Sequence, residues 1–450
     1  MTNLNEIELV ERVPFGTARG TAPVEKYRLP NGLTVIIFED HRAPVFSYHT
    51  WFKVGSRHEK PGKTGIAHLF EHLMFKETIN TPEGEFDRLM EHAGAQTNAA
   101  TWTDWTYYYE KLPTKHLELP FRLEADRMEH MVLGTHQLES EREVVINERS
   151  YRVDNDPEGK IYEVLYANAF GSNHPYGWPT IGWMDDIRSI QLADCMEFYG
   201  KYYAPNNATI VVTGDVDTSV VLNLIHRYYG HMKPQEISEA EVPPVVLQGE
   251  QRLEIELQLA SDRLLIGYMC PSIRDSRTFS LSVLNEILFN GDSSRVTKRL
   301  VFDDELATDV HAWPASFRFS GLFQIDVTMK PGVSAEAALA VIDEEIHRLV
   351  TAGITDRELQ KAYNTLEADT VRHLLSCNSV ANAFGLYEST TGHFSDVFHL
   401  NENTRKVTAS DVVETAKHLL ADAGRVVLFA RPSGELADDN KETSDEDFDE

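Results

Sequence analysis

Cysteine is scarce in this sequence. Cys195, Cys270 and Cys377 are the only three in 450 residues. They are widely scattered, odd in number and form no CxxC pair, which argues against a disulfide framework and a thiolate zinc site. Long apolar runs are also missing. No stretch approaches the roughly 18 residues a spanning helix needs, and the start, MTNLNEIELVERVPFG, has neither a basic flank nor an apolar h-region. The expectation is a soluble, cytoplasmic chain with no membrane span and no export signal, with the periplasm left open. Positive charge is in deficit: 42 Lys and Arg face 71 Asp and Glu, a net charge of -29. Phosphates would be repelled, so nucleic acid is excluded as a partner. Part of the excess lies in ELADDNKETSDEDFDE, 435–450, which has too few apolar side chains to fold. The rest could steer cationic peptides toward a cleft.

The length is too great for a single core. Periodicity predicts strands at 26–29 and 33–38 around the Asn31, Gly32 turn, a third at 45–54, and a helix after a Thr64 N-cap. Further helices are expected at 83–92, 116–131, 138–151, 159–169, 192–202 and 218–229, with strands at 95–101, 106–112 and 208–213. Pro234, Pro243 and Pro244 among acidic residues read as a linker. The plan then recurs, ending again in a helix (409–420) and a strand (425–430). The fold class that follows is α+β: two homologous domains from an internal duplication, each a mostly antiparallel sheet faced by helices. The expected division is an N-terminal arm at 1–20, a catalytic domain at 21–231, a linker at 232–248, a second domain at 249–432 and a disordered acidic tail at 433–450.

One stretch carries chemistry. GIAHLFEHLMF holds His68, Glu71 and His72 in the pattern H-x-x-E-H. On a helix the two imidazoles stack on one face and can share a metal ion, while Glu71 can reach a water held by that ion without being a ligand. The bland alternative is a buried histidine pair on an amphipathic helix. The second copy reads SVLNEILFN at the corresponding place and has no histidine. A catalytic zinc also needs a third protein ligand. The best candidates lie in ESEREVVINER, where Glu141 and Glu148 are two helical turns apart and project from one face. One could bind metal while the other holds a ligand in place.

GSRHEKPGKTGIAHLFEHLMFKET, AQTNAATWTDWTYYYEKLP and EREVVINE resemble the pitrilysin family of zinc peptidases, the inverzincins, and most closely its short branch. The resemblance implies half of a clamshell. It places one Zn2+ on His68, His72 and Glu148, the general base at Glu71 and the outer-shell carboxylate at Glu141. It also implies substrate binding by Asn98 and Ala99 on an edge strand, where an extended peptide adds a strand through main-chain hydrogen bonds. Family members complete the site with an arginine and a tyrosine seven residues apart. In RLVFDDELATDV those places fall on Val301 and Thr308, and no tyrosine occurs between Tyr268 and Tyr363. The expectation is therefore a zinc metalloendopeptidase subunit in a heterodimer. A homologous second subunit would lend the Arg/Tyr pair, and peptides or unfolded segments would be cut in the closed two-subunit cavity. The alternatives are a non-catalytic scaffolding subunit and a specialised processing peptidase.

Overall fold

The structure is a computed structural model that describes residues 6–17, 20–239 and 242–434. The strands of the first half are β1 (Glu8–Thr17), β2 (Gly20–Arg28), β3 (Thr34–Glu39), β4 (Val45–Phe52), β5 (Gln96–Thr101), β6 (Thr106–Pro113) and β7 (Ala208–Gly214). Those of the second are β8 (Glu250–Leu257), β9 (Arg263–Cys270), β10 (Ala307–Ala315), β11 (Gly321–Met329) and β12 (Arg425–Pro432). They form two sheets, ordered β1-β2-β3-β7-β4-β6-β5 and β10-β11-β9-β12-β8. Read from its other edge, the second sheet repeats β3-β7-β4-β6-β5 place by place. The parallel pairing of β3 with β7 returns as that of β8 with β12, among otherwise antiparallel neighbours. The duplication read from the sequence is thus a repeat of topology.

Helices α1 (Ile66–Leu73), α2 (Glu85–Ala93), α3 (Glu118–His130), α4 (Thr135–Arg149) and α5 (Pro157–Phe170) belong to the first half. The central strands β3 and β7 are mostly apolar and β-branched, β4 mixes aromatics with Ser47, His49 and Thr50, and all three are buried on both faces. On one face Val35, Ile37, Tyr48 and Val212 pack with Leu69, Phe70 and Leu73 of α1 and Phe121 of α3. The opposite face is covered by the other half. Val24, Ile36, Phe38, Trp51 and Val211 meet Val380, Ala381 and Phe384 of the helix Cys377–Thr390. A Cβ at Gly385 would stand 2.0 Å from Trp51 Nε1, so only glycine lets this helix sit so close. The exchange is reciprocal: Ile161, Leu165 and Ala169 of α5 pack on Leu265, Val426 and Leu428 of the second sheet. Each half therefore supplies the helix that covers the other's sheet, and the buried Lys26–Glu388 pair, 2.7 Å apart, ties the two together.

Four readings from the sequence are corrected. The N-terminal arm is no loose segment, since from Glu8 it is the outer strand β1, antiparallel to β2. Pro14 is tolerated because β1 is an edge strand, and Val13 and Phe15 pack toward the second half's helix. The Asn31, Gly32 turn does close β2 and β3, with Gly32 at φ 87°, but through a five-residue connection between Arg28 and Thr34. Thr64 does not cap α1, as the next subsection describes. The helices Met184–Ser189, Cys377–Thr390 and Leu400–Lys406 were not anticipated. The expected acidic tail lies, from 435 onward, outside the described residues. Among the described residues no helix is long and apolar enough to cross a membrane.

Candidate metal centre

α1 begins at Ile66 behind Gly65, whose φ of 91° is a left-handed conformation. Its first amides are capped from a distance: Glu59, buried six residues earlier, accepts from Gly65 N and Ala67 N, both at 2.9 Å. Thr64 instead donates to Asp186 at 2.7 Å and accepts from Trp183 N at 2.9 Å, fastening the loop before Met184 to the start of α1. The apolar stripe Ile66, Leu69, Phe70, Leu73 faces the sheet and leaves His68, Glu71 and His72 on the other side, only partly buried. α4 lies across them.

His72 Nε2 stands 3.2 Å and His68 Nε2 3.7 Å from Glu148 Oε2. The two rings are 4.9 Å apart at 72°. Ligand atoms of His68, His72 and Glu148 all lie within 4.8 Å of one another, and this is the one trio of possible metal ligands among the described residues. Two ligands bound about 2.0–2.1 Å from a tetrahedral ion stand about 3.3 Å apart, so the donor set fits zinc and needs little closing. The opposite nitrogen of His72, Nδ1, faces Glu141 Oε2 at 3.6 Å, and Glu141 in turn holds Lys76 at 2.7 Å. One imidazole therefore spans two carboxylates two turns apart on α4, the outer one fixing its tilt. His68 Nδ1 is buried without a hydrogen-bond partner among the described residues.

The electrostatics suit a cation. Burial and the neighbouring His72 push the His68 pKa down to about 4, so this ring is neutral. Burial also works against a charged His72, but Glu141 and Glu148 outweigh it and raise its pKa to about 9. His72 holds Glu148 and Glu141 below the ordinary carboxylate range. Glu71 is different. Burial raises its pKa, and Thr101 and His72 offset this only in part. A carboxylate moved toward neutrality beside a metal site is suited to taking and returning a proton.

Beside α1 runs β5, which pairs with β6 on one side and, among the described residues, has no strand on the other. Asn98 is exposed there, and its Oδ1 accepts from Ala99 N at 2.9 Å. Val301 is half-buried before β10 and Thr308 is exposed on it, so neither position offers an arginine or a tyrosine. Two supporting residues escaped the sequence reading. Glu59 lies too far before α1 for a local capping pattern, whereas Lys76, one turn past His72, was open to discovery by its i,i+4 spacing.

Two family models match the chain. Residues 34–182 match the family model described as Insulinase (Peptidase family M16), and 189–366 match Peptidase M16 inactive domain. The chain is 31% identical over 418 residues to the zinc protease PqqE of Helicobacter pylori, covering 91% of this chain and 93% of the relative. The chain belongs to the M16 peptidase family. Another M16 relative, the uncharacterised zinc protease YmxG of Bacillus subtilis, is 24% identical over 92% of the chain and 99% of its own length. A crystal structure of a protease from Helicobacter pylori superposes with a TM-score of 0.85 at 30% identity, over 91% of this chain and 99% of that one. The Pseudomonas fluorescens structure described as a peptidase M16 inactive domain superposes at 0.82 with 18% identity, over 91% and 98%, and so shares the fold. The model that carries the word inactive matches the half without the histidine pair.

Proposed function

We propose that this M16 chain is the catalytic subunit of a zinc-dependent metalloendopeptidase. The observation that carries the reading is the convergence of His68, His72 and Glu148 from two helices onto one point, with Glu71 on the same helix as the imidazoles. In this reading the three hold one Zn2+, and Glu141 orients His72. When bound, zinc supplies a Lewis acid that makes water acidic enough to lose a proton near neutral pH. Glu71 takes that proton as the water attacks a peptide carbonyl, and returns it to the leaving amine. Asn98 and Ala99 present the open edge of β5 to an extended peptide, which would lie antiparallel to the strand and pass the zinc-binding residues. The backbone of a folded substrate is already committed to its own structure and could not adopt that pose, so the substrate class is peptides and unfolded segments.

With Val301 and Thr308 where the family carries arginine and tyrosine, the oxyanion half of the chemistry comes from a homologous second subunit. Losing one such donor typically costs about 100- to 1,000-fold in turnover. Hydrolysis of an unfolded peptide by the purified chain, alone and mixed with a homologue that carries the pair, tests this. The expected result is weak, chelator-sensitive cleavage alone and a rise of about 100-fold on mixing. Full activity alone refutes the heterodimer. A zinc-free chain without activity in either case leaves the scaffolding reading in its place.

A further inference from the structure

We infer that Arg149 is a positioning residue that sets the spacing between Glu148 and the two histidines, an inference that rests on the metal reading above. Arg149 follows Glu148 at the last turn of α4 and points the other way, into the protein, where its side chain is 4% exposed. It makes contacts with three separate elements. Its Nη2 donates to Glu163 Oε2 of α5 at 2.6 Å and stands 3.3 Å from Asp154 in the turn that follows α4. Its Nη1 donates to the carbonyl of Gly182 at 2.7 Å.

The Gly182 contact closes a circuit back to the histidines. Gly182 lies against the residue that starts α1, since a Cβ on it would meet Thr64 O at 2.4 Å and Gly65 Cα at 2.5 Å. The next residue, Trp183, donates its amide to Thr64 Oγ1 at 2.9 Å, and Asp186 accepts from Thr64. The end of α4 is thus tied through one guanidinium to the loop that is bolted onto the start of α1. Two nitrogens of one rigid, planar guanidinium reach two acceptors on different segments, which makes arginine hard to replace here. Without it, Glu148 would keep its helix but lose the strut that fixes how far that helix stands from His68 and His72. Glu163 extends the circuit, because α5 packs on the second sheet. The placement of the third ligand therefore depends on the docking of the other half.

The test uses the full chain with Co2+ in place of zinc, whose visible absorption reports coordination geometry, together with Zn2+ competition against a chelator. R149M is expected to weaken Zn2+ binding about 10-fold or more, the usual cost of losing an outer-shell support, and to alter the Co2+ bands. K26M serves as the comparison. It breaks an equally buried ion pair between the halves that touches neither ligand helix, and is expected to lower the melting temperature with the Co2+ spectrum unchanged. Should R149M fail to fold, E163Q, which keeps the side-chain volume, decides in the same way. Wild-type spectrum and affinity in R149M or E163Q overturn the inference, as does an equal spectral change in K26M. Absence of metal binding by the unsubstituted chain overturns the metal reading itself and this inference with it.

Discussion

Acid should destabilise this chain through a single residue buried between its two halves, His49. It lies on β4, fully buried, stacked between Tyr107 and Tyr109. Its Nε2 is 3.0 Å from both Ser47 Oγ and Asn378 Oδ1, the latter on the helix that the second half lays across the first sheet. Ser47 already donates its hydroxyl hydrogen to Asn378 at 2.9 Å, so the imidazole meets Asn378 as an Nε2–H donor. That leaves Nδ1 to take any added proton, and Nδ1 is buried without an acceptor among the described residues. Burial accordingly pushes the pKa down to about 3, which the Asn378 hydrogen bond offsets only slightly. In the unfolded chain it returns to about 6.5. Below that pH the unfolded state binds a proton that the folded state refuses. Stability is therefore complete above about 6.5 and falls as pH drops toward 3, by about 1.4 kcal/mol per unit. Between pH 7 and pH 5 the loss from this residue is about 2 kcal/mol. Urea unfolding of the wild type and H49Q at both pH values isolates the effect, since every other titrating group is common to the two. H49Q should start lower at pH 7 and lose about 2 kcal/mol less on acidification. Parallel profiles would refute the reasoning.

Three further outcomes are expected. Glu71→Gln should retain one zinc by elemental analysis while peptide hydrolysis falls about 100-fold or more, within the usual contribution of a general base; wild-type turnover would remove Glu71 from the mechanism. Zinc binding at pH 7 should release about one proton from His72, because its pKa of about 9 keeps it charged until the metal arrives. Affinity then rises with pH between roughly 4 and 9, and calorimetry in two buffers of different ionisation enthalpy counts the proton; pH-independent affinity from 6 to 8 would contradict it. Phe384→Ala, which empties a fully buried site between the first sheet and the second half's helix, should cost about 3–5 kcal/mol and speed amide exchange in β4 and β7. Unchanged exchange there would mean that the helix contributes little to holding that sheet.

Local pattern was enough to find most of the elements of this M16 chain and to single out the candidate residues that the fold brings together. H-x-x-E-H is a statement about one helix face, and Glu141 with Glu148 about one face of another, so each follows from a 3.6-residue period and needs no tertiary information. The duplication was legible for the same reason, as a recurring order of apolar periods. Spacing alone left open which carboxylate joins the histidines, and the resemblance assigned Glu148. Only the packing of α4 across α1 put distances to it, with Glu148 near both rings and Glu141 behind His72. The sequence equally lacked any sign that α5 and Cys377–Thr390 trade places, that Glu59 caps a helix from six residues away, or that Arg149 braces the loop against Gly65. Each of these joins residues distant in the chain or outside a helical period, and the energy that holds them comes from buried contacts between elements. Folding decided what the one-dimensional pattern had no means to encode.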